Sequence, residues 1–160
     1  MKGEKGLTLI GTIFLILIIA LIVFGVVYFV RLQATKQNLE DMKTDMLLVK
    51  AKVKKISSDY ILEKSDDVLV GTKITDMEKS QVIKSFLEKE LINIEEKDKK
   101  YYVLSQDNLN ELGLTQVKLD ENSYYVVEYI SGEVYYTKGY ELAGSSYYDI
   151  DNIEELKLEQ

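Results

Sequence analysis

The chain of 160 residues contains no cysteine, no histidine and no proline. Without cysteine it can form no disulfide, no thiolate nucleophile and no cysteine-ligated metal site. Without histidine it lacks Ser-His-Asp catalysis, the usual zinc ligand sets and the commonest acid-base group at neutral pH. A glycine-rich phosphate loop and an HExxH motif are also missing. We therefore expect no enzymatic activity, no cofactor and no metal.

Basic residues are scarce in the last part of the chain. Residues 31–100 carry 15 basic and 14 acidic side chains, whereas residues 101–160 carry 3 basic and 12 acidic ones. Nucleic-acid affinity depends on neutralising phosphates with lysine and arginine. An acidic outer domain of this kind is soluble and repels nucleic acid, so no nucleic-acid partner is expected.

One long apolar run stands near the amino terminus. Residues 9–30 are 22 positions without a charge, which as a helix would be about 33 Å long, against a hydrocarbon core of about 30 Å. The run exceeds the apolar part of a usual secretory signal, and no small-x-small cleavage site follows it. It predicts a single membrane span that stays attached to the rest of the chain.

The residues that lead into this run form a recognisable motif. From Lys5 to Ile10 the sequence is KGLTLI, a charged leader that ends in glycine directly before the apolar run. This motif resembles the prepilin signal of type IV pilins and of type II secretion pseudopilins. The resemblance implies a leader of residues 1–6 in the cytoplasm, cleavage between Gly6 and Leu7 by a membrane peptidase, and methylation of Leu7. It also implies that the rest of the protein is extracytoplasmic.

Two positions depart from the family pattern. The family normally has a glutamate after the Thr-Leu-Ile triplet, where this chain has Gly11, and the helix-kinking proline of the family is missing. In the family that glutamate is thought to pair with the amino group of a neighbouring subunit, and a minor, tip-type pseudopilin lacks it. Gly11 therefore favours a minor pilin or pseudopilin over a main filament subunit.

After the span, a seam of apolar and semi-apolar residues continues at alternating spacings of three and four, which is typical of a helix. No proline or glycine interrupts residues 27–56, so the membrane helix (residues 7–30) should continue into an amphipathic part (residues 31–56). The seam could dock on the chain's own domain, as in pilins, or form a parallel coiled coil between chains. Its members are Leu32, Thr35, Leu39, Met42, Met46, Val49, Val53 and Ile56.

Residues 57–160 predict one small domain outside the membrane. Residues 57–75 read as a connector with one short strand, and a helix capped by Thr75 or Asp76 should end near Ile92. Tyrosine and β-branched residues then predict antiparallel strands, with a short helix at residues 105–112 stopped by Gly113 and a hairpin turn at Ser131-Gly132. The predicted strands cover residues 101–104, 124–130 and 133–137.

Three groups of residues in this domain are candidate sites. Four tyrosine doublets (101–102, 124–125, 135–136 and 147–148) should each place one ring inward, and the outward rings form either an aromatic binding surface or mere cross-strand pairs. The acidic stretch from Asp149 to Glu155 could begin a calcium loop or a helix capped by Asp151. Glu128 and Glu133 flank the turn like a glycosidase pair, but exposed strand carboxylates explain them better.

Together these features predict an α+β, pilin-like protein: a long amino-terminal helix, its first half transmembrane, packed on a small antiparallel sheet. The function expected is that of a minor subunit in a type IV pilus-like or type II secretion-like filament, stored in the cell membrane before assembly. Its partners would be other pilins or pseudopilins, a prepilin peptidase, a membrane assembly platform and the lipid bilayer. The alternative is an uncleaved single-pass scaffold with a juxtamembrane coiled coil, resembling small divisome proteins, and a third reading is a tethered glycan-binding domain.

Overall fold

The computed structural model describes residues 4–96, 98–142 and 145–151, with the side chains of residues 4–11, 32–36 and 142 excepted. These described residues form three α-helices and five β-strands, so the predicted α+β class is confirmed. The chain divides into two compact units, residues 1–40 and 41–160. The elements are α1 (Glu4–Glu63), β1 (Thr72–Lys73), α2 (Gln81–Leu87), β2 (Tyr101–Leu104), α3 (Gln106–Glu111), β3 (Tyr125–Glu128), β4 (Glu133–Leu142) and β5 (Ser145–Asp149).

Helix α1 extends seven residues beyond the predicted end at Ile56. The Ser58 hydroxyl donates to the Lys54 carbonyl one turn earlier, so this serine is accommodated inside a helix rather than starting a connector. The helix ends where Lys64 adopts the left-handed conformation (φ 51°) and its N–H donates to the Tyr60 carbonyl. Residues 60–62, which were predicted to lie in the connector, therefore belong to the helix.

The carboxyl-terminal part of α1 docks on the sheet of its own chain. Met46, Val49 and Val53 are fully buried and Ile56 nearly so, while Met42 is partly buried. They pack with side chains from β2, β3 and β4, and burying each one contributes roughly 1.5–3 kcal/mol. The intramolecular reading of the seam is confirmed for these five positions. Leu39 is half-exposed, and the side chains of Leu32 and Thr35 lie outside the described residues.

The sheet is antiparallel throughout, and its strand order follows the chain order from β1 to β5. The predicted strand at residues 101–104 is confirmed, and the turn between β3 and β4 contains Gly132 in the left-handed conformation (φ 77°). β3 is shorter than predicted and β4 longer. β1 is a short strand within the connector, where one was expected, and β5 was not predicted as a strand. β1 begins after Gly71, whose φ is 104°. A Cβ atom at this position would lie only 2.7 Å from the Val103 carbonyl oxygen, so there is no room for a side chain.

Both faces of the sheet are covered. One face, which carries Tyr102 and Leu104, packs on α1 and α3. The opposite face, which carries Tyr101 and Val103, packs on α2 and the segment that follows it. Alternate residues of a strand therefore enter two different cores, as the period of two requires.

Helix α2 is shorter than the predicted helix at both ends. A 3-10 turn (Ile74–Met77) comes first, and the extended backbone of Ser80 separates it from α2. After Leu87 the chain turns, and Glu90 adopts the left-handed conformation with φ 56°. The prediction of one helix from residue 76 to residue 92 was wrong, because the apolar spacing continues through two backbone breaks that no proline or glycine marks.

Candidate functional site

The first candidate site is the apolar part of α1. Thr12–Arg31 is the one helix segment in the described residues that is long and apolar enough to cross a membrane. Its large apolar side chains are between 47% and 80% exposed. An apolar surface of this size needs a partner that is itself apolar. The segment is consistent with a single-pass membrane protein.

Gly6 and Leu7, the predicted processing residues, lie in the first turns of α1. The side chain of Leu7 lies outside the described part of the structure, and cleavage between Gly6 and Leu7 remains a prediction. Gly11 lies in the same helix, before the apolar segment. The leader residues 1–3 lie outside the described residues.

Glu128 occupies a position that the sequence did not predict. It is fully buried, not exposed as predicted, and both carboxylate oxygens are engaged by backbone groups. Oε1 accepts the Lys100 N–H at 2.7 Å and Oε2 accepts the Ser131 N–H. The carboxylate therefore joins the turn after β3 to the residue before β2.

The electrostatic balance at Glu128 keeps it ionised. Burial raises the pKa of this carboxyl, but the N–H groups of Lys100, Ser131 and Ile130 outweigh burial and hold the pKa below its ordinary value. Glu133 lies directly opposite on β4 and is half-exposed. Because backbone N–H groups occupy both of its oxygens, Glu128 is not free to act as the nucleophile or the general acid of a glycosidase pair.

The tyrosine doublets alternate as predicted, but their outward rings form no exposed aromatic surface. Tyr102, Tyr125 and Tyr136 are buried on the α1 face, and Tyr125 pairs directly across the strands with Tyr136 at a ring separation of 5.2 Å. On the other face, the ring of Phe86 in α2 lies 6.1 Å from Tyr135 and 6.3 Å from Tyr148. Edge-to-face packing of this kind stabilises the sheet.

The acidic stretch predicted as a possible calcium loop is only partly described. Asp149 ends β5, and Ile150 and Asp151 are already helical, so Asp151 does not precede the helix as a cap. The side chain of Asp151 is bound to Lys50 of α1 at 3.3 Å. Residues 152–160 lie outside the described residues, and no group of three potential metal ligands occurs among the described ones.

A groove on the α2 side of the sheet was not predicted. It has a volume of about 750 Å³, within the range of ligand sites. It lies between the segment that leaves α2 and side chains from β2 and β4. Its lining is Leu87, Glu90, Leu91, Ile92, Asn93, Ile94, Glu95, Lys99, Tyr101, Glu133 and Tyr135.

The groove combines an apolar floor with an acidic edge. Among the described residues, three carboxylates line it (Glu90, Glu95 and Glu133), against one ammonium group, Lys99. Hydrogen bonding to Tyr101 and, less strongly, the charge of Glu96 raise the pKa of Lys99, so it stays protonated. Its ammonium group lies 3.4 Å from Glu96, which is outside the lining. The lining therefore has a surplus of negative charge.

The two phenols of the groove remain neutral. Burial raises the pKa of both Tyr101 and Tyr135, so each hydroxyl keeps its proton and its ring stays uncharged at neutral pH. The Tyr135 hydroxyl donates to Glu133 at 3.4 Å. The sequence signal that could have revealed this site is the segment 91–94 (LINI), which stands between Glu90 and Glu95. Its apolar residues continue the spacing of the predicted helix, so the segment was not recognised as separate from that helix.

The chain was also compared with known proteins. No family model, no curated protein and no solved structure matches it.

Proposed function

We propose that the protein is a minor pilin or pseudopilin, a structural subunit of a type IV pilus-like or type II secretion-like filament that is held in the membrane before assembly. The observation that carries the proposal is α1. This one helix, Glu4–Glu63, begins with the prepilin-like residues, includes the segment able to span a bilayer, and docks on an antiparallel sheet. Its work is assembly rather than catalysis.

The proposed mechanism assigns a separate role to each part of α1. The bilayer holds the apolar segment until an assembly platform extracts the subunit, and apolar packing between such helices then forms the filament core. The domain after the span is extracytoplasmic and faces outward. Gly11 offers no carboxylate for a neighbouring amino group, so the subunit primes, caps or is sparsely present in the filament.

The buried seam weighs against the alternative of an uncleaved coiled-coil scaffold. A coiled coil through this region would need Met46, Val49, Val53 and Ile56 at a helix–helix interface. These side chains are already buried against the chain's own sheet, and exposing them would cost several kcal/mol. The glycan-binding reading depended on outward tyrosines, most of which pack against α2.

The mature amino terminus is the decisive measurement. The full chain is expressed in membranes with a prepilin peptidase and its mass is determined. Loss of residues 1–6 with one added methyl group on Leu7 supports the proposal, and an intact Met1 refutes it. Gly6→Val should abolish cleavage, whereas Gly3→Val, in the same leader, should leave it unchanged. Purified filaments with this protein as their main subunit would contradict the minor role.

A further inference from the structure

We propose that the groove behind α2 binds an extended, basic segment of a partner protein, with aliphatic residues on the floor and lysine or arginine side chains at the acidic edge. This inference is independent of amino-terminal processing. It concerns only residues 87–135, which belong to one compact unit.

The apolar floor of the groove indicates that the occupant carries apolar groups. Leu91, Ile92 and Ile94 line it together with the rings of Tyr101 and Tyr135, and all five are at least partly buried. A free polyamine would leave this apolar surface poorly matched. A peptide satisfies it, because successive side chains of an extended strand point to opposite sides.

The edge determines the charge of the occupant. Glu90 and Glu95 are exposed, and no ion pair to either is found among the described residues. Glu133, on β4, is half-exposed and lines the groove from the side of the sheet. An arginine or lysine side chain at this edge would meet carboxylates from both the segment after α2 and β4. Residues 152–160 carry three glutamates and one lysine, so the chain's own acidic end does not complement the groove.

Glu90 provides a variant that separates binding from folding. Its φ of 56° is a conformation that glycine adopts without the steric cost of a side chain. Glu90→Gly removes a carboxylate from the edge while relieving that cost, so its thermal midpoint should not fall. Weaker binding by this variant could not be attributed to unfolding.

The experiment uses the full chain in non-ionic detergent micelles with methyl-labelled isoleucine and leucine. The probe is an octapeptide of alternating leucine and arginine, and the control peptide has glutamate in place of arginine. The basic peptide should shift the methyl signals of Leu91, Ile92 and Ile94. The signals of Leu47 and Ile61, exposed on α1, report adsorption outside the groove.

Matched variants then test the acidic edge. Glu90→Gly and Glu133→Gln should each raise the dissociation constant of the basic peptide about two- to five-fold, as expected for partly exposed charge pairs. The double variant should raise it about tenfold. Glu88→Gln removes a neighbouring exposed carboxylate outside the lining and should have no effect.

Several results would overturn the proposal. These are equal shifts with the acidic peptide, unchanged affinity in both edge variants, or full competition by spermidine at the peptide's own concentration. Shifts of the groove signals on concentrating the protein alone would assign the groove to a second copy of the chain instead.

Discussion

Glu128 allows a quantitative test of how the domain is held together. In Glu128→Gln the side chain keeps its shape, but one of its two oxygens becomes an NH₂ group that faces a backbone N–H. The buried N–H of Lys100 or Ser131 then loses its acceptor, and the remaining hydrogen bond loses its charge. A hydrogen bond to a charged group contributes about 1.5–3 kcal/mol, and a buried unsatisfied donor costs about 1–3 kcal/mol. We expect a loss of about 3 kcal/mol, or roughly 12 °C in the melting temperature of a unit of this size.

The loss should depend on pH in a defined direction. Because the folded-state pKa of Glu128 lies below its ordinary value, its stabilising contribution is complete above the unfolded pKa of about 4.3 and is lost as pH falls through the folded value. The difference between wild type and Glu128→Gln should therefore be constant from about pH 8 to pH 5 and should shrink below about pH 4.

The assay is guanidinium denaturation of the full chain in non-ionic detergent, followed by the near-ultraviolet circular dichroism of the tyrosines. This signal reports the packing of the sheet even where the apolar helix remains in the micelle. Glu133→Gln is the control, because removing one of two like charges across a strand pair should change stability by less than about 0.5 kcal/mol. Equal stability of wild type and Glu128→Gln at pH 7, or a difference that does not shrink in acid, would refute the reasoning.

Two further predictions concern the backbone and the core. Gly71→Ala should destabilise the domain by more than about 2 kcal/mol, since its Cβ would lie 2.7 Å from the Val103 carbonyl oxygen, whereas Gly113→Ala, with a positive φ but open space, should cost about 1 kcal/mol. If the two variants lost similar free energies of unfolding in the same denaturation assay, the contact between the new Cβ atom and the Val103 carbonyl oxygen would not be the cause of the destabilisation. Val53→Ala should cost about 2 kcal/mol because Val53 is fully buried, and Leu47→Ala, at a 48% exposed position on the same helix, less than about 0.5 kcal/mol. Equal effects would contradict the docking of α1 on the sheet.

The sequence predicts those elements whose residues agree locally with their final environment. β2 is predicted to the residue because two tyrosines and a valine, which favour strands, precede Leu104. The short helix α3 is predicted because Ser105 caps it, with its side chain accepting the Asn108 N–H, and Gly113 stops it. The apolar helix is predicted because a long uncharged run has few alternatives.

The errors arise where distant residues decide the outcome. The place of β1 within the connector was not predicted, because the strand has only two residues and its pairing depends on contact with β2 rather than on its own composition. The burial of Glu128 cannot be read from its neighbours, because the Lys100 N–H that binds it lies 28 positions away in the chain. Glu90 adopts a left-handed conformation in the turn after α2. A glycine at this position would have indicated the end of the helix. Because the residue is a glutamate, the helix was predicted too long and the groove was not recognised.

Coverage of the sheet on both sides also restricts where the domain can recognise another molecule. The predicted recognition surface, the outward tyrosines, is largely occupied by Phe86 and its neighbours. Of the paired rings, Tyr101 and Tyr135 line the groove, where the chain leaving α2 stands away from the sheet. A ligand that contacts the sheet there meets tyrosine rings and carboxylates together, so recognition at this site should require both an apolar and a cationic group. Removing either the leucine or the arginine side chains from the octapeptide should therefore lower its affinity more than removing residues from one end.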